Sequence, residues 1–244
     1  MIDLQTIRSI LADDFDRENF VIDKTGGKVL EVMGTSFLIE EDRTDKVIFG
    51  EPNFDYIERE IKWYESQSLF VKDIPGKVPA IWEAVADNKG RINSNYGYLI
   101  WHADNYNQYA NALEELKTNP FSRRAIMIYT RPIMHYDYNR KGMSDFICTN
   151  TVQYMIRGEH LHAVVNMRSN DAIFGFRNDY HWQRHVLGKL AADLGVAVGD
   201  IIWQTGSLHV YERHFYLVDH YAETGELSIT KERYKELYPD SKYA

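Results

Sequence analysis

The sequence predicts one α+β domain. Its 244 residues fit a single large domain or two small ones. Its hydrophobic share is 44% and its aromatic share 14%, enough apolar surface for a packed core. Long runs rich in β-branched residues alternate irregularly with segments of helical periodicity, and some of the runs follow one another as hairpins. No internal repeat, low-complexity tract or linker-like stretch divides residues 1–244.

Taken in order, residues 3–13 form a short amphipathic helix, followed by extended runs at 20–23 and 28–40. The segment 53–70 places Phe54, Ile57, Ile61 and Tyr64 at helical spacing, with Asn53 as its cap. Residues 79–87 predict a short helix carrying Trp82, and 105–120 a helix stopped by Asn119-Pro120. A strand over 125–132 ends at Pro132. Strands over 146–157 and 160–171 meet at Gly158-Glu159 as a hairpin. The first of these carries apolar and small polar residues on both faces, so it expects cover on both sides, from helices or from a partner subunit. A helix over 179–195 ends in a glycine, a strand covers 201–211, and a helix covers 212–225.

Composition excludes several functions. The formal charge is −8, which disfavours direct nucleic-acid binding through a basic surface. It leaves room for a small anion held by a few arginines, and for membership of a larger enzyme complex. One cysteine, Cys148, rules out a disulfide within the chain. The opening residues lack the basic and apolar regions of a signal peptide, and no apolar stretch reaches the ~20 residues of a membrane span. A cytoplasmic location is expected.

Taken singly, the candidate site residues each have an ordinary alternative. Cys148 alone reads as a small buried hydrophobe. Glu60 lies beside the apolar stripe of its helix, where a solvated glutamate is the plainer reading. Arg123-Arg124 after Ser122, and Arg168-Ser169 at a strand end, suit a phosphate monoester because guanidinium forks match its oxygens, but surface arginine is the alternative. His181 and His185 share a helix face, and His160 and His162 a strand face, without a third ligand, so no metal is expected. The glycine-rich loops GxGxxG and GxxxxGK[ST] and the GxSxG elbow do not occur. On these grounds the residues reach no further than a single-domain α+β enzyme, with a phosphorylated substrate as an open alternative.

Four short elements in order resemble the thymidylate synthase superfamily. They are Ser122-Arg123-Arg124, the isolated Cys148 in a strand, MRSND at 167–171 leading into FGFRND at 174–179, and GSLHVY at 206–211. The likeness is stronger to the branch of phage deoxycytidylate hydroxymethylases. It is carried by DKTG at 23–26, SLFVKDIPG at 68–76, INSNYG at 92–97, MSDFICTNTVQY at 143–154 and VVNMRSNDAIFGFRNDY at 164–180. It extends over most of the chain and is weakest at the two ends. Two positions depart from the synthase pattern. Ile147 and Thr149 flank the cysteine where the synthase has Pro and His, and Asp179 stands where it has Asn.

The resemblance implies a thymidylate synthase-type fold, with a large mixed β-sheet flanked by helices and a sheet face used for dimerisation. It implies conversion of dCMP, 5,10-methylenetetrahydrofolate and water to 5-hydroxymethyl-dCMP and tetrahydrofolate. Cys148 would add to C6 and turn C5 into an enamine-like nucleophile. C5 would take the one-carbon unit, and water would add where the synthase delivers hydride. Glu60 would handle proton transfers, in a network with Tyr96 and Asn170. An asparagine serves uracil by donating to O4 and accepting from N3–H. A carboxylate at Asp179 would instead accept from the cytosine amino group and stabilise a protonated N3; a helix-capping aspartate is the alternative. Phosphate would be held by Lys24, Arg168 and Ser169, with Arg123 and Arg124 reaching in from the other subunit of a homodimer. His209 and Tyr211 would meet the sugar hydroxyl, and Trp82 and Asp171 the folate. The residues do not themselves separate water addition from hydride transfer, or deoxyribose from ribose.

Overall fold

The computed structural model of the protein describes residues 1–42 and 46–244. In chain order its elements are β1 (Ile2–Asp3), α1 (Leu4–Asp16), β2 (Val21–Ile22), β3 (Lys28–Ile39), α2 (Phe54–Glu65), α3 (Ala80–Val85), α4 (Tyr96–Trp101), α5 (Gln108–Thr118), β4 (Ile126–Ile128), α6 (Met134–Asp137), β5 (Thr149–Arg157), β6 (His160–Met167), β7 (Asn170–Asp171), α7 (Phe174–Leu194), β8 (Ala197–Tyr211), α8 (Phe215–Thr224) and α9 (Lys231–Leu237). Two compact units result. The first comprises Met1–Pro52, Met167–His181 and Asp200–Ala244, and the second Asn53–Asn166 and Trp182–Gly199.

The first unit holds a mixed sheet with helices. The long strand β3 pairs antiparallel with β8, from Val29↔Tyr211 to Ile39↔Ile201. β1 joins β3 in parallel, β2 joins it antiparallel, and β7 joins β8 in parallel. Asp3 starts α1 by accepting the Thr6 amide at 2.8 Å, which satisfies one of the amides that a helix start leaves open. Leu4, Ile7, Leu11 and Phe15 form its buried stripe, packed on β3 and α8. Arg8 shares that stripe and is also buried. Its guanidinium donates to the carbonyls of Val47 and Ile48, which makes a cation tolerable inside. Phe37, Phe176 and Trp203 form an aromatic cluster over β3 and β8. A Cβ at Gly206 would fall 2.9 Å from the Arg168 carbonyl oxygen. Glycine therefore lets β8 pass against the Arg168 backbone.

In the second unit the sheet order is β6-β5-β4, with β4 antiparallel to β5. The turn between β5 and β6 has φ of 56° at Gly158 and 69° at Glu159. Two successive positive φ values define the tight hairpin turn whose twist matches the strands. Asn53 caps α2 by accepting the Tyr56 amide at 3.1 Å. Helix α2 lies very close to α4, because a Cβ at Gly97 would sit 1.8 Å from the Tyr64 carbonyl oxygen.

Several expectations shift. Helix α2 stops at Glu65, short of residue 70, because Ser66 closes it and Gln67 turns left-handed with φ 58°. Its buried face is Ile57, Glu60, Trp63 and Tyr64, while Phe54 is exposed. Glu60 therefore sits within the buried stripe, and the solvated reading does not hold. The strand over 146–157 begins at Thr149, one residue after Cys148. The strand over 160–171 is two strands, β6 and β7, broken at Arg168-Ser169. Helix α7 starts at Phe174, five residues before the expected 179. That puts Asp179 in the second helical turn, where it cannot act as the N-cap. Helices α4 and α9 were not read from the sequence. The first is a short, largely buried segment, and the second, capped by Thr230 at the Arg233 amide, is a mostly charged heptapeptide with one buried residue, Tyr234.

Replacing Gly97 with alanine is expected to destabilise the protein by about 3 kcal/mol, since α2 and α4 must move apart. A denaturant midpoint that stays unchanged in Gly97→Ala would contradict this packing.

Candidate active site

In the second unit Glu60, Trp82 and Tyr96 belong to one aromatic-rich cluster. Glu60 is 5% exposed. It accepts a short hydrogen bond from the Tyr56 hydroxyl, one helical turn earlier. The Tyr56 oxygen in turn accepts from Trp82 Nε1 at 2.7 Å. Burial raises the Glu60 pKa to about 7, and the Tyr56 and Trp82 hydrogen bonds pull the other way without cancelling it. The rings around this carboxyl form a continuous set. Trp63 meets Trp82 edge-on at 5.2 Å, Tyr64 stacks on Tyr96 at 5.2 Å, and Tyr64 meets Trp182 at 5.0 Å. Tyr96 is thereby fixed as a buried neighbour of α2.

Cys148 is half-buried, with Sγ 3.8 Å from the Phe146 carbonyl. Its neighbours Ile147 and Thr149 are fully buried, so the backbone on both sides is fixed while the thiol keeps some surface. Asp145 anchors the approach to it, accepting from the amides of Asn93 and Ser94 and from the Ser94 hydroxyl at 2.6–2.8 Å. Arg123 and Arg124 are both exposed before β4. Arg124 pairs with Glu115 at 3.0 Å. An exposed pair of this kind is weak and screened by solvent, so an anion could displace it.

In the first unit a second group forms where β7, α7 and β8 meet. Asn170 is 2% exposed, and its Nδ2 donates to Asp179 Oδ2 at 2.9 Å. The other amide atom, Asn170 Oδ1, is buried without a partner. The bond forms because Gly175 keeps the helix close. A Cβ there would lie 3.2 Å from Asp171 Cβ and 3.4 Å from Asn170 Nδ2. Asp171 pairs with His209 across the parallel β7–β8 ladder, and its Oδ1 accepts the Ile173 amide at 3.0 Å. His209 and Tyr211 have ring centroids 4.9 Å apart. Ser207 Oγ contacts His209 Nδ1 at 3.3 Å and donates to Glu31. Burial lowers the His209 pKa, partly offset by the carboxylate of Asp171, so the ring is neutral near neutral pH. Arg168 and Ser169 are half-buried in the break between β6 and β7, and Lys24 is exposed in the turn after β2.

His181 and His185 do share helix α7, but His185 is engaged by Glu65 at 3.1 Å. Among the described residues there is no group of three His, Cys, Asp or Glu placed to hold a metal, and no helix is long and apolar enough to cross a membrane. Sequence reasoning missed Tyr56 and Glu31. The first was legible as a tyrosine four residues before Glu60, on the same helix face. The second becomes a neighbour only through the β3–β8 register.

A buried carboxyl with a raised pKa, a cysteine on a fixed backbone and an amide-held aspartate suit covalent addition to a polar ring with proton transfer. The family model for thymidylate synthase matches residues 4–235. The chain belongs to the thymidylate synthase family. Within it, the chain is 57% identical over 239 residues to a protein of Enterobacteria phage T6 named deoxycytidylate 5-hydroxymethyltransferase, covering 95% of this chain and 96% of that one. The protein of the same name from Enterobacteria phage T4 is also 57% identical, over 238 residues and 95% of each chain. A thymidylate synthase of Bacillus subtilis subsp. natto is 26% identical over 212 residues, 83% of this chain and 74% of that one. Membership of the thymidylate synthase family agrees with the α+β architecture and its mixed sheet.

The Glu60 carboxyl is expected to titrate with a midpoint at about 7. Carbon-13 NMR of glutamate-labelled protein, assigned with Glu60→Gln, would measure it, and a midpoint near the ordinary ~4.3 would contradict the burial described.

Proposed function

We propose that the chain is a deoxycytidylate 5-hydroxymethyltransferase, which converts dCMP, 5,10-methylenetetrahydrofolate and water to 5-hydroxymethyl-dCMP and tetrahydrofolate. The observation that carries the reading is the Asp179 carboxylate, held by Asn170 at 2.9 Å where a thymidylate synthase has an asparagine. A carboxylate offers about four acceptor sites. Acceptor oxygens of this kind suit the cytosine amino group and a protonated N3. A uracil O4 would instead face a group with no donor. The two phage relatives support the same substrate.

In this reading residues 1–244 act as one catalytic domain. The Cys148 thiolate adds to C6 of the cytosine and is later eliminated. Asp179 stabilises the protonated N3, which raises the electron demand at C6. Glu60 accepts a proton and orders water, with Tyr96 and Asn170 in the same polar network. Lys24, Arg168 and Ser169 bind the phosphate, and His209 and Tyr211 meet the sugar. Trp82 and Asp171 fit the folate in type, as an indole face and a carboxylate, and both keep exposed surface. When bound, methylenetetrahydrofolate supplies the one-carbon unit. We further infer a homodimer in which Arg123 and Arg124 reach the phosphate of the other subunit. Their exposure, and the exchangeable Arg124–Glu115 pair, suit that role.

Mass spectrometry of products from dCMP, dUMP and CMP, each with methylenetetrahydrofolate, tests the function. The expected product is dCMP heavier by one CH₂O, formed with release of tetrahydrofolate and abolished in Cys148→Ser. A gain of one CH₂ with dihydrofolate would make the chain a methylase, and turnover of dUMP in place of dCMP would remove the Asp179 argument. Asp179→Asn is expected to shift the ratio of kcat/KM from cytidylate toward uridylate by about 10³. An unchanged ratio would take Asp179 out of base selection.

A further inference from the structure

Glu60 Oε1 accepts from the Tyr56 hydroxyl, and no cation is paired with Glu60 among the described residues. Trp82 Nε1–H can only donate. Its bond to the Tyr56 oxygen, at 2.7 Å, therefore uses that oxygen as acceptor. The single hydroxyl proton of Tyr56 is then directed at its remaining neighbour, Glu60 Oε1. An oxygen that receives this proton cannot also carry one toward Tyr56.

We propose that Tyr56 is a positioning residue that assigns separate roles to the two Glu60 oxygens: Oε1 is a standing acceptor, and any proton that Glu60 exchanges sits on Oε2. The inference rests on the reading of Glu60 as the proton-handling group. The geometry is built into α2, since residues four apart lie on one face. It is braced from outside the helix by the edge-on contact of Trp63 with Trp82. Burial and the Glu60 carboxylate raise the Tyr56 pKa, so the phenol remains a donor through the working pH range. On the other side, Arg59 lies 5.4 Å from the Tyr56 ring. Arg59 is occupied by Asp55 and by the carbonyls of Pro75 and Lys77. It steadies the ring without competing for Glu60.

The role makes a sign-definite prediction. Removing a donor to a carboxylate raises its pKa. In wild type, kcat falls on the acid side as Glu60 takes up a proton, and this limb is absent in Glu60→Gln. In Tyr56→Phe the limb moves to higher pH by about one unit, with kcat at neutral pH down about tenfold and KM for dCMP within about twofold. If wild type has no limb that Glu60→Gln removes, the reading of Glu60 fails and the inference goes with it. If the limb is present and Tyr56→Phe leaves it in place, the role of Glu60 stands and that of Tyr56 is overturned. Infrared difference spectra of the unaltered protein give a check independent of the variant's folding. The C=O stretch of protonated Glu60, identified by its loss in Glu60→Gln, is expected at a hydrogen-bonded frequency, and a free carbonyl frequency would overturn the assignment.

Discussion

A carboxyl group withdrawn from water must find donors or take up a proton. Much of the second unit follows from how Glu60 meets this demand. The residue occupies the buried face of α2 between Ile57 and Tyr64, a place where sequence patterning expects an aliphatic side chain. The aromatic residues around it supply both the low-dielectric surroundings and the donors. Trp82 and Tyr56 give hydrogen bonds at their polar tips, while Trp63, Tyr64 and Tyr96 pack ring against ring. Polar-tipped rings suit this task because one end can be dry while the other bonds. The result is a carboxyl poised near neutrality, where it can both give and take a proton. Packing and chemistry therefore cannot be separated at this position.

The first unit solves a different problem, holding a carboxylate in one orientation. Here the supports are backbone geometry and one amide. The break between β6 and β7 redirects the chain so that Asn170 and Asp171 pair with β8. Gly206 and Gly175 remove the side chains that would push Arg168 and α7 away. The amide of Asn170 then bonds Asp179 across the short gap. The orphan Oδ1 of Asn170 is the cost of presenting its nitrogen to the carboxylate, and a buried acceptor without a donor marks a place where a ligand's own donor would be stabilised.

How much of this the sequence discloses depends on the range of the interaction. Local signals read well. The caps at Asn53 and Thr230, the Gly158-Glu159 turn and the β-branched run of β3 are each set by neighbours within a few residues. Asn53 was read in advance for that reason, whereas the Thr230 cap precedes a charged helix with little apolar periodicity to announce it. The start of α7 was misplaced because Asn178 has the character of a helix cap and Gly175 disfavours a helix before it, whereas Gly175 packs against Asn170 and Asp171 of β7 inside the helix. The burial of Glu60 was missed because the register of α2 is decided by which ridge meets α4, and Gly97 sets that contact from far along the chain. The candidate site was legible through family likeness. The residues that hold the site in shape, Tyr56, Glu31 and the three glycines, were not, since their roles come from tertiary proximity.

The two units are also interleaved along the chain. The first needs residues 1–52, 167–181 and 200–244, and the second closes only with 182–199. A chain made from its N-terminal end can therefore form α1 and β3 early, yet β3 waits for β8, its antiparallel partner, until some 160 residues later in the register Leu38↔Ile202. Long-range pairing of this kind is slow, and it leaves strand edges open in the meantime. Synthesis thus outruns assembly. The exposed edge of β3 in the nascent chain is the point at which chaperone binding, or its failure, would decide how much of the enzyme matures.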